Sequence, residues 1–260
     1  MRSSDRQPDV EAGAGMYQRV MSSLISNGIV SRSDRILVQF AGEFDKNVAE
    51  RLGLRQCTFV NLAPNSPSSR LGTAEQSDAH RMNLADRSFD HVIGHAGLHH
   101  CSRPHQALHE MYRIARSTVV AVENQDSPLM RMACRIGLAG TYEFQAVADG
   151  GGTTGGVDGT GVPNHVYRWT RHEVRKTVRT FDPGRSTPIE FYSEWLIGSD
   201  RALTRSTRAV FDRSDGRERA GLARVANRTL NLVAKRQGNI FGFVIRKDLS
   251  GLQPWMGAGT

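Results

Sequence analysis

The 260-residue sequence predicts an α/β fold: a doubly wound, mostly parallel sheet with helices on both faces. Three observations carry that expectation. Apolar runs of strand length recur at 35–40 (RILVQF), 57–62 (CTFVNL), 89–94 (FDHVIG) and 117–123 (STVVAVE). Stretches between them place apolar residues at helical spacing, and the first strand is followed at once by a turn containing Gly42 and then by a helix. Strand and helix in alternation build parallel sheets, because each crossover returns the chain to the same end of the sheet.

Taken in order, residues 1–8 are polar, and from Asp9 the pattern Val10, Met16, Val20, Leu24, Ile25 predicts an amphipathic helix that ends near Asn27-Gly28 and caps the sheet. The first strand, 35–40, leads through Ala41-Gly42-Glu43 into a helix over 44–52. The second, 57–62, ends in a loop where Pro64 and Pro67 among Asn and Ser exclude regular structure. After the strand at 89–94, a helix over 104–114 sets Ala107, Leu108, Met111 and Ile114 on one face, and the strand 117–123 follows. A short helix through Met130, Ala133 and Ile136 precedes a segment, 149–161, with seven glycines. It reads as a flexible surface insertion (149–162), with a lid over substrate as the sharper alternative, and its lack of GK[ST] excludes a P-loop. A helix at 170–181, a strand at 189–197, Arg-rich helical segments between 201 and 235 and a strand at 239–246 complete the chain. The expected organisation is a tail and cap helix over 1–33 followed by one domain over 34–260.

A hydrophobic content of 38% with 23% charged residues is that of a globular chain. No stretch approaches the roughly 20 apolar residues of a membrane span, and the N-terminus lacks an apolar leader core, so a cytoplasmic protein is expected. Cys57, Cys101 and Cys134 lie far apart without a CxxC pair, which argues against a disulfide framework and a thiolate zinc site. The net charge of +8 comes from arginines spread along the chain, and aromatic content is 7%, so a nucleic-acid interface is not expected. His95, His99, His100, His105 and His109 fall within fifteen residues. There is no HExxH, and the His105/His109 pair lies on the helix without a nearby third ligand, so no metal is expected.

The segment 77–93, SDAHRMNLADRSFDHVI, contains an acid-Ala pair and then acid-x-Ser-Phe-Asp before an apolar strand. It continues into Gly97-Leu98-His99-His100 and the helix QALHEMYRIAR at 106–116. Together these resemble class I S-adenosylmethionine-dependent methyltransferases of the "LHH" type, over residues 34–124. The resemblance implies a Rossmann-like sheet of seven strands whose last strand inserts antiparallel, a C-terminal helical insertion, and S-adenosylmethionine as cofactor. It also implies that the region between the fifth and sixth strands, where the Gly-rich insertion falls, helps build the substrate pocket. By the same analogy Phe40, Ala41, Gly42 and Glu43 border the methionine part of the cofactor, Asn61 pairs with a ribose hydroxyl, Asp78 and Ala79 offer an acceptor and a donor to the adenine edge, and His95 completes the set. His99 and His100, just after the fourth strand, are the catalytic candidates, since imidazole is suited to taking a hydroxyl proton near neutral pH. The chain departs from the family at its glycine-rich loop, which is degenerate: Gln39 to Asp45 reads QFAGEFD, with one glycine and glutamine in place of the acid. The ribose acid is likewise missing, with Asn61 and Ala63 as the residues nearby.

No nucleic-acid or protein-recognition module is appended, so the expected activity is methylation of a small molecule, O-methylation of a sugar, lipid or secondary-metabolite hydroxyl. The small-molecule substrate is the expected partner, and a homodimer is compatible with it. The alternative is a non-catalytic methyltransferase-like scaffold, which the degenerate loop favours. A third reading, RNA methylation, rests on the net charge alone, and the Asn-Pro signature of base amino-group methylation is absent after the fourth strand.

Overall fold

The computed structural model describes residues 8–62, 74–182, 187–197 and 216–247. Pro64 and Pro67 in the loop after the second strand, and the Arg-rich segment 201–215, lie outside them. In chain order the elements are α1 (Pro8–Ser26), β1 (Arg35–Gln39), α2 (Glu43–Leu52), β2 (Gln56–Asn61), β3 (Ala74–Gln76), β4 (Phe89–His95), α3 (Pro104–Ile114), β5 (Ala115–Asn124) and α4 (Pro128–Arg135). They continue with β6 (Tyr142–Glu143), α5 (Phe144–Asp149), β7 (Asn164–His165), α6 (Arg171–Phe181), β8 (Ile189–Glu194), α7 (Gly216–Val233) and β9 (Ile240–Arg246).

Seven strands form one sheet in the order β3-β2-β1-β4-β5-β9-β8. Strands β1 to β5 are parallel, and β9 inserts antiparallel between β5 and β8. Side chains alternate across the pleat: Ile36 and Val38 pack with Tyr17, Val20 and Val48 under α1 and α2, whereas Leu37 and Val92 pack with Leu108, Met111 and Val174 under α3 and α6. Each face is thus closed by helices, as the near-continuous apolar strands require. The expected doubly wound fold and its seven strands are what the structure shows.

Two short pairings escape the sequence pattern. Strand β3 is the polar tripeptide Ala74-Glu75-Gln76, held by its register against Phe59, Val60 and Asn61 rather than by its own apolarity. Strands β6 and β7 form a two-residue antiparallel ribbon that brackets the Gly-rich insertion and sets Glu143 opposite Asn164. The strand expected over 189–197 stops at Glu194 because the next residues exchange hydrogen bonds with side chains instead of a neighbouring strand. Asn231 accepts from the Trp195 N–H and donates to its carbonyl, and Asn227 does the same for Ile197.

The Gly-rich insertion is compactly folded. A Cβ on Gly156 would lie 1.8 Å from the Val162 carbonyl oxygen, so glycine there allows two backbone segments to touch. Asp158 Oδ1 accepts the Ser102 N–H at 2.9 Å and ties the loop to the segment after β4. Among the described residues no helix is long and apolar enough to cross a membrane.

Candidate active site

Strands β1 and β4 lie side by side while their crossovers run to opposite sides, so the loops at their carboxyl ends diverge and leave a cleft. On the β4 side, Ala96 takes φ +48° and turns the chain out of the sheet into a 3-10 turn, Leu98–His100. Glu123, at the end of β5, anchors that turn from below. Its Oε1 accepts the Gly97 N–H at 2.8 Å and the Leu98 N–H at 2.7 Å, and its Oε2 lies 2.7 Å from His99 Nδ1. A carboxylate without solvent access is tolerable there because all these donors converge on it. Helix α4 needs no cap from Glu123, since Ser127 Oγ accepts the Met130 N–H.

His99 and His100 then meet a residue from far along the chain. The β6–β7 ribbon delivers Glu143, whose two carboxylate oxygens lie 3.5 Å from His99 Nε2 and 3.4 Å from His100 Nε2. Asn164, opposite Glu143 on the ribbon, donates to Glu143 Oε2 at 3.1 Å and to the His99 carbonyl at 3.3 Å. Burial works to lower the His99 pKa, but the Glu123 and Glu143 carboxylates outweigh it and raise it to about 10. Burial and the neighbouring His99 charge lower that of His100. Against the cost of burial, the His99 and His100 charges hold Glu143 at about 2. The side chains of His100 and Glu143 are 35% and 33% exposed, so the cluster opens to solvent on one side. Tyr142 and Phe144, which flank Glu143 in sequence, expose 50% and 68% of their surface, with their rings 6.0 Å apart.

The β1 side is sparser. Phe40 holds φ +61°, a left-handed conformation that costs a non-glycine residue about 1 kcal/mol. Its ring rests on Gly97, where a Cβ would come within 2.0 Å of Phe40 Cγ. Ala41 is buried, and Glu43 begins α2 with its side chain in solvent. Asp45 Oδ2 accepts the Gly42 N–H at 2.9 Å, while Oδ1 is buried without a hydrogen bond, 3.6 Å from His95 Nδ1. Burial raises the Asp45 pKa to about 7 against the pull of the Gly42 N–H. His95 stacks on Tyr17 of α1 at 5.2 Å, under the cap helix. Asn61 donates to the Ala41 carbonyl at 3.0 Å and accepts the Leu62 N–H at 2.7 Å, so its amide already bridges the β1 and β2 loops.

Asp78 lies after β3. Its Oδ1 accepts the His80 N–H and contacts His80 Nδ1 at 2.8 Å, and the side chain is half exposed. The Ala79 N–H has no acceptor among the described residues. His105 and His109, the helix pair considered for a metal, face protein partners instead: His105 meets Glu173 and Tyr167, and His109 packs on Phe181. Sequence reasoning missed Glu143 and Asn164 and left Glu123 unassigned. Only Glu123 carried a signal, as a buried acid at the end of an apolar strand.

A family model described as a methyltransferase domain matches residues 41–122, from the end of β1 to the end of β5. No curated protein matches the chain. Among solved structures, a Haloferax volcanii protein in complex with the Trm112 methyltransferase activator superimposes with a TM-score of 0.51 at 15% identity, covering 91% of this chain and 93% of that one. The YcgJ protein of Bacillus subtilis gives 0.52 at 12% identity over 91% and 99%. An S-adenosylmethionine-dependent methyltransferase of Archaeoglobus fulgidus gives 0.50 at 13% identity over 88% and 94%. At these identities the likeness is one of fold. S-adenosylmethionine is the cofactor of such domains, and the residues present fit it in part: Gly42 leaves open space above the first turn, where a Cβ would meet only Asp45 Oδ2 at 3.9 Å, and Asp78 with the Ala79 N–H offers an acceptor and a donor side by side. Residues 41–122 thus match a methyltransferase domain, and the chain has the fold of class I S-adenosylmethionine-dependent methyltransferases.

Proposed function

We propose that the chain methylates a hydroxyl on a small acceptor with an apolar body, a lipid or a secondary metabolite in preference to a sugar. One observation supports this reading above others: the polar cluster of His99, His100 and Glu143 at the carboxyl ends of β4 and β5, partly open to solvent, with the exposed rings of Tyr142 and Phe144 on either side of Glu143 in sequence. An apolar body that covers the exposed Tyr142 and Phe144 rings would remove area from water while its polar end reaches the cluster. The cofactor supplies an electrophilic methyl carbon. What remains for the chain is to seat the hydroxyl, align it and draw off its proton, tasks in which positioned acid–base groups contribute roughly 10²- to 10⁴-fold. Asp78 and Ala79 would hold the adenine edge, Gly42 and Glu43 the methionine end, with Ala41 and Phe40 beneath. His95, under α1, and Asn61, tied to Ala41, support these loops from behind.

The experiment is methyl transfer from labelled S-adenosylmethionine to a panel of phenols, long-chain alcohols, hydroxy acids and sugars. Turnover of amphiphilic hydroxyl compounds, reduced about 100-fold or more in His100→Ala, is the expected result. Transfer only to amines, or only to RNA, would overturn it. A non-catalytic binding role is favoured by Phe40, whose ring sits on Gly97 at the mouth of the cleft, and by the engaged Asn61. That role predicts no transfer to any acceptor and no binding of S-adenosylhomocysteine.

A further inference from the structure

We infer that His99, His100 and Glu143 form a site for one divalent transition-metal ion of zinc type, bound through the two Nε2 atoms and the Glu143 carboxylate. The donor atoms lie within 4.8 Å of one another. Metal–ligand bonds of about 2.0–2.1 Å at tetrahedral angles put donors roughly 3.3–3.4 Å apart. Glu143 Oε1 stands 3.5 Å from His99 Nε2 and Glu143 Oε2 3.4 Å from His100 Nε2, each close to that spacing and longer than a well-formed N–H···O bond, so a small rotation of the carboxylate would set one oxygen against both nitrogens. Two histidines and one carboxylate are a donor set that leaves a coordination position free, and the exposed sides of His100 and Glu143 face that opening.

The surroundings are those of a metal site. His99 Nδ1 is fixed by Glu123 Oε2 at 2.7 Å, which turns Nε2 toward Glu143 in the carboxylate–histidine–metal arrangement. Glu123 is itself locked by the Gly97 and Leu98 N–H groups, so the ring has little freedom to rotate. Asn164 Nδ2 holds the Glu143 carboxylate from the far side. Two carboxylates, Glu123 and Glu143, converge on one imidazole, an excess of negative charge that a dication neutralises. The histidines set aside as metal ligands for want of a third partner are His105 and His109; beside His99 and His100, the β6–β7 ribbon places Glu143 from beyond α4.

The role of the ion rests on the hydroxyl acceptor proposed above: the open position takes the acceptor oxygen, lowers its pKa as it lowers that of water, and the proton leaves to solvent. The test separates the two ideas because it needs neither cofactor nor acceptor. Chelator-treated full-length chain is titrated with Zn²⁺ by calorimetry, and the Co²⁺ form is examined for visible d–d bands. One ion per chain at micromolar affinity or tighter is expected. His100→Ala and Glu143→Gln should each weaken binding by at least about 100-fold, Glu123→Gln by about 10- to 100-fold, and exposed His172→Ala not at all. Circular dichroism reports whether each variant folds; His100 is partly exposed, so His100→Ala decides the matter even if Glu123→Gln does not fold. No bound ion in the wild type, or an ion that His100→Ala and Glu143→Gln leave in place, would overturn the site.

Discussion

At the carboxyl ends of β4 and β5, Glu123 receives donors from Gly97, Leu98 and His99. One strand away, at the end of β1, both side-chain polar atoms of Gln39 are buried without a hydrogen bond, as are Asp45 Oδ1 and Lys46 Nζ, whose ion-pair contacts with His95 and Glu43 are 3.6 Å long. The turn after β4 is therefore held by a carboxylate with every donor in place, although Asn164 Oδ1 nearby has no hydrogen bond, whereas the β1 side holds more unmet hydrogen-bonding capacity next to a ring, Phe40, in a glycine conformation. Buried polar groups without partners cost stability, so the second region is where folding has been compromised and where sequence departs from the family pattern. The difference teaches that the two halves of one site can be under separate constraint.

That contrast can be broken most forcefully at Glu123. Glu123→Ala strands two buried backbone N–H groups and the His99 ring, and a loss of roughly 3–5 kcal/mol in chemical denaturation is expected. A loss below about 1 kcal/mol would show that the network is not what holds the turn.

On the β1 side, Asp45 should show itself through pH. Its folded value is raised from 3.8 to about 7, chiefly by burial, with Tyr17 and His95 beside it and Lys46 adjacent on α2. Between those values only the folded chain holds the proton, so folding takes one up and stability falls as pH rises through the window. The contribution reaches about 2 kcal/mol once relaxation is allowed for. Denaturation of Asp45→Asn across the same window should lack that slope while keeping an acceptor for the Gly42 N–H.

A smaller effect joins the two halves. Gly97→Ala drives a methyl into the Phe40 ring and should cost roughly 1–3 kcal/mol, most of it recovered in a Phe40→Gly background because the clash is then gone. Additive losses in the double variant would mean that the ring and Gly97 are not in contact.

Most of the sheet was legible in the sequence because β1, β2, β4, β5 and β9 are apolar enough to announce burial. The polar strand β3 and the ribbon of β6 and β7 were not, since their pairing depends on neighbours far along the chain. The Gly-rich insertion read as mobile from composition, yet at Gly156 the missing side chain serves close backbone contact with Val162. His99 and His100 were readable as a pair, but their partners were not: Glu143 sits beyond α4 at the start of the insertion, and a strand-terminal acid such as Glu123 reads equally as a helix cap, a task Ser127 performs instead.

The central claim is that the sparse β1 side still serves an S-adenosylmethionine domain. Calorimetric titration of the purified chain with S-adenosylhomocysteine, repeated on Asp78→Ala, tests it most directly. The account predicts one site per chain with micromolar affinity, weakened about tenfold or more in the variant as the adenine edge loses its acceptor. No binding to the wild-type chain would contradict it and leave the fold as a scaffold without its cofactor.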